Sequence, residues 1–269
     1  MITRDTVRQA VVILTFVLTL TANGLANGLP LNGLTTAEIS DSFPVLFVPA
    51  GYVFAIWGLI YLTLTGFVIY QALPAQRENP RLRRIGYWFA LSNIANTTWI
   101  FLWHYQQFLL TELAMLGVFA SLVMVYEGLG IGRQTVNGAE RWFVNLPFSI
   151  YLGWITVATV ANTTIVLYDL GWDGFGIADA TWAAVLLVVA TVITSLMILR
   201  RRDLVYAGVI VWAFAGIAVK QSATPLVATT AVIMAVVIVV VALGRTFLRH
   251  SSGPGESASS GGRKARANA

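Results

Sequence analysis

Four stretches of this sequence set aromatic and carboxamide side chains at helical spacing. Phe54, Trp57 and Tyr61 follow i, i+3, i+7, so a helix carries them on one face. Asn96, Trp99 and Trp103 repeat that spacing, and Tyr151, Trp154, Ala158 and Asn162 continue one stripe through three turns. Asn23 and Asn27, four residues apart, also share a face. Flat rings stack on flat apolar molecules and amides bond their polar edges, so this chemistry is binding. Two plainer roles fit the same residue types. Trp and Tyr anchor helices at membrane interfaces, and a buried Asn bonds a neighbouring helix. Tyr87, Trp88, Trp142, Trp172 and Trp182 read as anchors, as do Trp103, His104 and Tyr105 in part.

Bond-breaking chemistry finds little support. The chain has no cysteine, which excludes disulfides, thiolate metal sites and thiol catalysis. Its histidines are His104 and His250. His104, in Trp103-His104-Tyr105, reads as an interfacial polar residue, although imidazole also suits haem-type iron. No phosphate loop, carboxylate pair or Ser/His/Asp set is present. Gly128, Gly130 and Gly132 end an apolar helix instead of opening one after a strand, so they do not make a dinucleotide fingerprint. No catalytic residue and no metal ligand is assigned.

The elements that position the stripes follow from composition. Of 269 residues, 57% are hydrophobic and 11% charged, and mean hydropathy is +0.75. A soluble domain carries roughly 25% charged residues. Apolar segments fall at about 9–29, 48–70, 85–103, 109–129, 143–167, 181–199, 204–219 and 225–247, near the ~20 residues that a membrane helix needs. The first follows Arg4 and Arg8 but runs on through Asn23, Asn27 and Pro30 without a small-x-small cleavage site, so it reads as a membrane helix and not a signal peptide.

The charges order these segments. Arg4 and Arg8 precede the first. Arg77, Arg81, Arg83 and Arg84 lie in the second connection, Arg133 and Arg141 in the fourth, and Arg200, Arg201 and Arg202 in the sixth. Arg245, Arg249, Arg263, Lys264 and Arg266 follow the last segment. Of the 17 basic residues, only Lys220 falls in an alternate connection. Under the positive-inside rule this puts both termini in the cytoplasm, and it accounts for a pI near 9.7 without nucleic acid. The outer connections are acidic, with Glu38, Asp41, Asp169, Asp173 and Asp179. The fold class is therefore all-α, a polytopic membrane helix bundle of eight transmembrane helices in the cell membrane. The Gly- and Ser-rich tail, 250–269, is expected to be disordered and cytoplasmic.

No charge falls at a predicted helix centre; Glu112, Glu127 and Lys220 lie near ends, which argues against ion-coupled transport. The stripes on the first, second, third and fifth helices overlap in depth toward the outer side, at roughly 1.5 Å per residue. A lipid-facing amide is unfavourable, so these faces should turn inward around an aromatic pocket.

The same residues carry a family resemblance. Pro49-Ala-Gly-Tyr-Val-Phe-Ala-Ile-Trp57-Gly-Leu-Ile-Tyr61, Ile94-Ala-Asn96-Thr-Thr-Trp99, and Pro147 followed by Trp154 and Asn162 resemble, in order, motifs of the TspO/MBR tryptophan-rich sensory (translocator) proteins. Gly51 and Tyr52 stand where that family has a second proline and a first Trp, and Pro147 lies three residues further from its Trp than usual. The resemblance implies a five-helix bundle, matched by 9–167, and leaves three helices without a counterpart. It divides the chain into a five-helix domain at 1–170, three additional C-terminal helices at 171–249 and the tail. It also implies a pocket for tetrapyrroles such as porphyrins, or for isoprenoid or sterol-like molecules. On that basis Trp57, Tyr61, Trp99 and Trp154 line the pocket, and Asn96, Asn162, Asn23 and Asn27 offer hydrogen bonds. The expected partners are a lipophilic small molecule and membrane lipids. No cofactor is expected other than a porphyrin or haem-like ligand, and homo-oligomer formation stays open. A sensory or transport role is expected. A carrier of small organic solutes that uses no coupling ion, or a membrane enzyme acting on a tetrapyrrole or isoprenoid, is the alternative.

Overall fold

Inside a bilayer a peptide group finds partners only within a helix or a closed barrel, and every apolar segment of this chain is helical. The computed structural model describes residues 3–29 and 31–250, with side chains to residue 247. The expected disordered tail lies, from residue 251 on, outside the described residues. Helix α1 is Arg4–Gly28, and the short α2, Thr36–Asp41, lies in the first connection. A 3-10 turn, Gly51–Ala55, leads directly into α3, Ile56–Ala72. Then come α4 (Pro80–Ile85), α5 (Trp88–His104), α6 (Phe108–Leu129), the single turn α7 (Gly138–Glu140) and α8 (Leu146–Asp169). The chain finishes with α9 (Asp179–Arg201), α10 (Leu204–Lys220) and α11 (Pro225–His250). No strand occurs among the described residues.

The helix starts follow local chemistry. Thr35 and Glu38 form a reciprocal capping box on α2, Asn137 caps α7, and Asp203 caps α10 through Tyr206 N–H. Pro80 and Pro147 occupy first turns, where a missing N–H costs little. A π-helical turn, Arg141–Asn145, precedes Pro147, absorbing the bond that the proline cannot donate. Six helical spans are long and apolar enough to cross a membrane: Arg4–Gly28, Gly51–Ala72, Phe108–Leu129, Gly138–Asp169, Asp179–Arg201 and Pro225–Phe247. At 17 residues each, α5 and α10 reach about 25 Å.

Five helices close into a ring: α1 packs on α3 and α5, α5 on α6, α6 on α8, and α8 on α3. The arginine-rich half of the ring is solid. Phe67, Phe89 and Phe148 meet edge to face, with ring centroids 4.8–5.3 Å apart. Outside the ring α10 lies along α8, and α9 and α11 pack on each other and on α10. Gly153 permits the α8–α10 approach, since a Cβ there would sit 3.1 Å from the Val209 Cβ and 3.2 Å from the Tyr206 carbonyl.

Polar contacts tie α10 to the ring at both ends. Asp203 accepts from the Tyr126 hydroxyl at 2.8 Å and the Ser149 hydroxyl at 2.6 Å. At the other end Lys220 pairs with Asp41, Ala50 N–H donates to the Gly216 carbonyl at 3.2 Å, and the Trp212 indole donates to the Val53 carbonyl at 3.3 Å.

The buried Arg81 joins three elements at the arginine-rich end. Its guanidinium donates to the Leu129 carbonyl (2.8 and 3.2 Å), to Glu140 (2.8 Å) and to the Asn145 amide oxygen (2.9 Å). Arg81→Ala strands a buried Glu140 carboxylate and a helix-end carbonyl, and should cost about 3 kcal/mol. Thermal unfolding in detergent measures this loss, and an unchanged midpoint would refute the proposed joint.

Candidate ligand site inside the ring

The half of the ring away from the arginine-rich end is where the aromatic and amide stripes converge. Trp57 from α3, Trp99 from α5 and Trp154 and Asn162 from α8 surround one cavity, with Phe54, Trp103 and Met115. Thr36 and Ser40 of α2 and Pro49 of the following segment also line it, so the first connection forms its roof. The cavity holds only about 40 Å³, against ~30 Å³ for one water and ~300–1,000 Å³ for a drug-sized ligand. The rings fill the space themselves. Trp154 meets Trp57 edge-on at 6.2 Å and Phe54 at 5.7 Å. Tyr61 stacks on Trp57 at 5.5 Å, and Trp99 on Trp103 at 5.3 Å.

The amides mostly bond other helices. Asn23 donates to the Asn96 side-chain oxygen at 2.8 Å, joining α1 to α5. One turn below, the Thr19 hydroxyl bonds the Asn93 carbonyl at 2.8 Å and Thr97 at 2.9 Å. Asn27 accepts from Thr36 N–H at 3.3 Å and so holds the roof. Asn162 accepts from the Trp99 indole at 3.0 Å and from Thr111 at 3.1 Å, and donates to Glu112 at 2.7 Å. Of the eight residues expected at the site, Trp57, Trp99, Trp154 and Asn162 line the cavity, while Tyr61, Asn96, Asn23 and Asn27 surround it without lining it.

Two buried donors are left over: the Trp154 Nε1 and the Tyr61 hydroxyl have no hydrogen-bond partner. Each such group costs on the order of 1–3 kcal/mol in a protein interior. Trp154 is also one of the residues that line the cavity.

Glu112 lies near the start of α6, as the sequence has it, and its carboxylate also accepts from Asn162 and, at 2.7 Å, from the Thr163 hydroxyl. Its signal was an acid one turn before Met115 in an otherwise apolar run. Trp103 and His104 are fully buried instead of partly interfacial, whereas Tyr105 is exposed. The reason is the roof. The Trp103 indole donates to the Thr36 carbonyl at 3.3 Å. His104 uses Nδ1 on the Leu31 carbonyl at 3.0 Å and Nε2 on the Thr36 hydroxyl at 3.3 Å. With both nitrogens engaged, His104 offers none to an iron in this arrangement. At the roof's start the Thr35 backbone N–H and hydroxyl hold the Glu38 carboxyl below the usual carboxylate range. A lowered folded value means that this cap is intact at neutral pH and is lost as pH falls through it.

Replacing Asn162 by Leu unpairs the Trp99 indole and Thr111 and takes one donor from Glu112. It should destabilise the ring by about 1–3 kcal/mol, read as a lower unfolding midpoint in detergent. No change would mean that this amide pairs elsewhere.

Neither curated proteins nor solved structures match the chain. A family model described as TSPO-like protein matches residues 9–244. The match spans the ring and continues through α9, α10 and most of α11, so the helices that the motifs left without a counterpart lie within it. The ring of five helices, its converging tryptophans and this match together place the chain in the TSPO-like protein family.

Proposed function

We propose that this is a TspO-type cell-membrane protein with eight crossings and both termini cytoplasmic, which binds one large, flat, apolar ligand inside the ring. A tetrapyrrole, or an isoprenoid or sterol-like molecule, is the ligand class. The single observation that carries this reading is that Trp154, which lines an aromatic cavity, has a buried N–H without a partner. The cavity as it stands, about 40 Å³, is too small for such a ligand, so binding requires the roof, α2 and the segment through Gly51–Ala55, to lift. That segment is non-helical or 3-10 over most of its length, and it moves at lower cost than a membrane helix. The eight-crossing count rests on the alternation of basic connections, and 17 residues suffice for α5 and α10 to span a thin hydrocarbon layer.

A sensory role is the stronger form of the proposal. The roof is bonded to α10 through Lys220–Asp41, Ala50–Gly216 and Val53–Trp212. A ligand that lifts the roof therefore shifts the helix that joins the ring to α9 and α11, and differential affinity for the two states sets the size of the response.

Saturable quenching of tryptophan fluorescence by protoporphyrin IX in detergent is the expected behaviour. Trp57→Ala with Trp154→Ala should abolish it with folding intact. Trp154→Phe, which removes only the N–H, should weaken it by about three- to tenfold. Equal affinity in all three proteins would defeat the proposal.

A further inference from the structure

At the arginine-rich end, a cavity of about 580 Å³ opens between the connection from α6 to α7, the start of α8 and the turn from α9 to α10. Arg133, Arg141, Arg201 and Arg202 line it, together with Asp203. Two carboxylates answer these four guanidinium groups. Asp203 is already occupied by the Tyr126 and Ser149 hydroxyls and by Tyr206 N–H. Glu127 pairs with Arg133 and Arg201. Arg141 and Arg202 have no carboxylate partner among the described residues. Arg201 is only 7% exposed, yet its Nη1 has no hydrogen-bond partner. The cleft thus keeps two uncompensated positive charges and a buried, unpaired donor. Guanidinium groups in this state match the oxygens of a phosphate.

The cleft does not end at its charges. Val205 belongs both to it and to an apolar groove of about 420 Å³ that runs along α10 between α3 and α8. Ala55, Leu59, Ile150, Gly208 and Trp212 form that groove. A Cβ at Gly208 would meet nothing within 4 Å, so the missing side chain leaves the groove open. Leu59 and Trp212 are exposed, which opens it to the surrounding lipid. From Val205 to Trp212 the groove descends about 10 Å along the helix, some two thirds of the hydrocarbon depth of one leaflet, roughly half of ~30 Å. An arginine-lined cleft leading into an apolar groove of this length can take the phosphate and the upper part of one acyl chain of a phospholipid.

We infer that this is a binding site for an acidic phospholipid of the leaflet at the arginine-rich end. Its phosphate lies among Arg141, Arg201 and Arg202, and one acyl chain lies along α10 from Val205 to Trp212. The site is separate from the cavity inside the ring and stands or falls independently of the ligand proposed there. It gives the α9–α10 turn a function, since the lipid bridges the ring to the C-terminal helices.

Native mass spectrometry of the whole protein in a neutral detergent tests this, with phosphatidylglycerol and phosphatidylcholine of identical chains as probes. The acidic lipid should bind about tenfold more tightly. Arg141→Gln with Arg202→Gln should bring the two lipids to parity. Gly208→Leu should weaken long-chain phosphatidylglycerol while leaving the binding of glycerol phosphate unchanged. Equal affinity of the unaltered protein for both lipids would overturn the site. So would glycerol phosphate or inorganic phosphate binding as tightly as the lipid, because the acyl groove would then contribute nothing.

Discussion

A polar side chain buried between membrane helices must find its partners within the protein, and the half of this protein away from its arginine-rich end is organised by that constraint. Thr19, Asn23, Asn93, Asn96 and Thr97 join α1 to α5. Asn162 joins α5, α6 and α8 through Trp99, Thr111 and Glu112. Water is not present to replace any of these bonds, so each must form for the ring to close. The arginine-rich half packs around a phenylalanine core, with the buried Gln9 and Gln71 bonding each other's backbone across α1 and α3. The result is a ring with a phenylalanine core in one half and converging tryptophans and amides in the other, and the cavity lies in the second.

Within the polar half, helix pairing uses some polar atoms and leaves others over. The carboxamides are spent on helix pairing, which leaves the Trp154 and Tyr61 donors unpaired. The roof is held by many weak bonds: Asn27, Trp103 and His104 each bond Thr36, and Asn32 donates to the His104 carbonyl at 3.0 Å. Each is worth about 1 kcal/mol, so the roof is held shut without being fixed. Under the proposed function, the cost of lifting it would be taken from ligand affinity, as for any protein whose competent state is a minor one.

Much of this was legible in the sequence because hydrophobic runs and helical spacing are local properties. All eight apolar segments are helical, and Trp57, Trp99, Trp154 and Asn162 do line one cavity. The sequence could not show which partner each amide takes, since Asn23 and Asn96 are far apart in the chain and read equally as ligand donors. Glu112 is the helix-end charge that the sequence shows, but its partner, Asn162, lies two helices away and could not be read there. Trp103 and His104 looked interfacial because nothing in the sequence says that residues 31–36 fold back over them. The short α2 was missed because six residues carry too little periodicity to register beside the long helices. The family match through residue 244 joins the C-terminal helices to the ring, and α10, bonded to the ring at both ends, supplies the physical reason.

A cavity of about 40 Å³ must enlarge by movement of its roof if it is to admit the proposed ligand. Hydrogen exchange of the purified protein, with and without saturating protoporphyrin IX, reads that movement. Exchange should change at α2 and at the segment through Gly51–Ala55, with a smaller change in α10 and none in the phenylalanine half of the ring. Exchange that is unchanged across the roof, or altered uniformly over all helices, would contradict it.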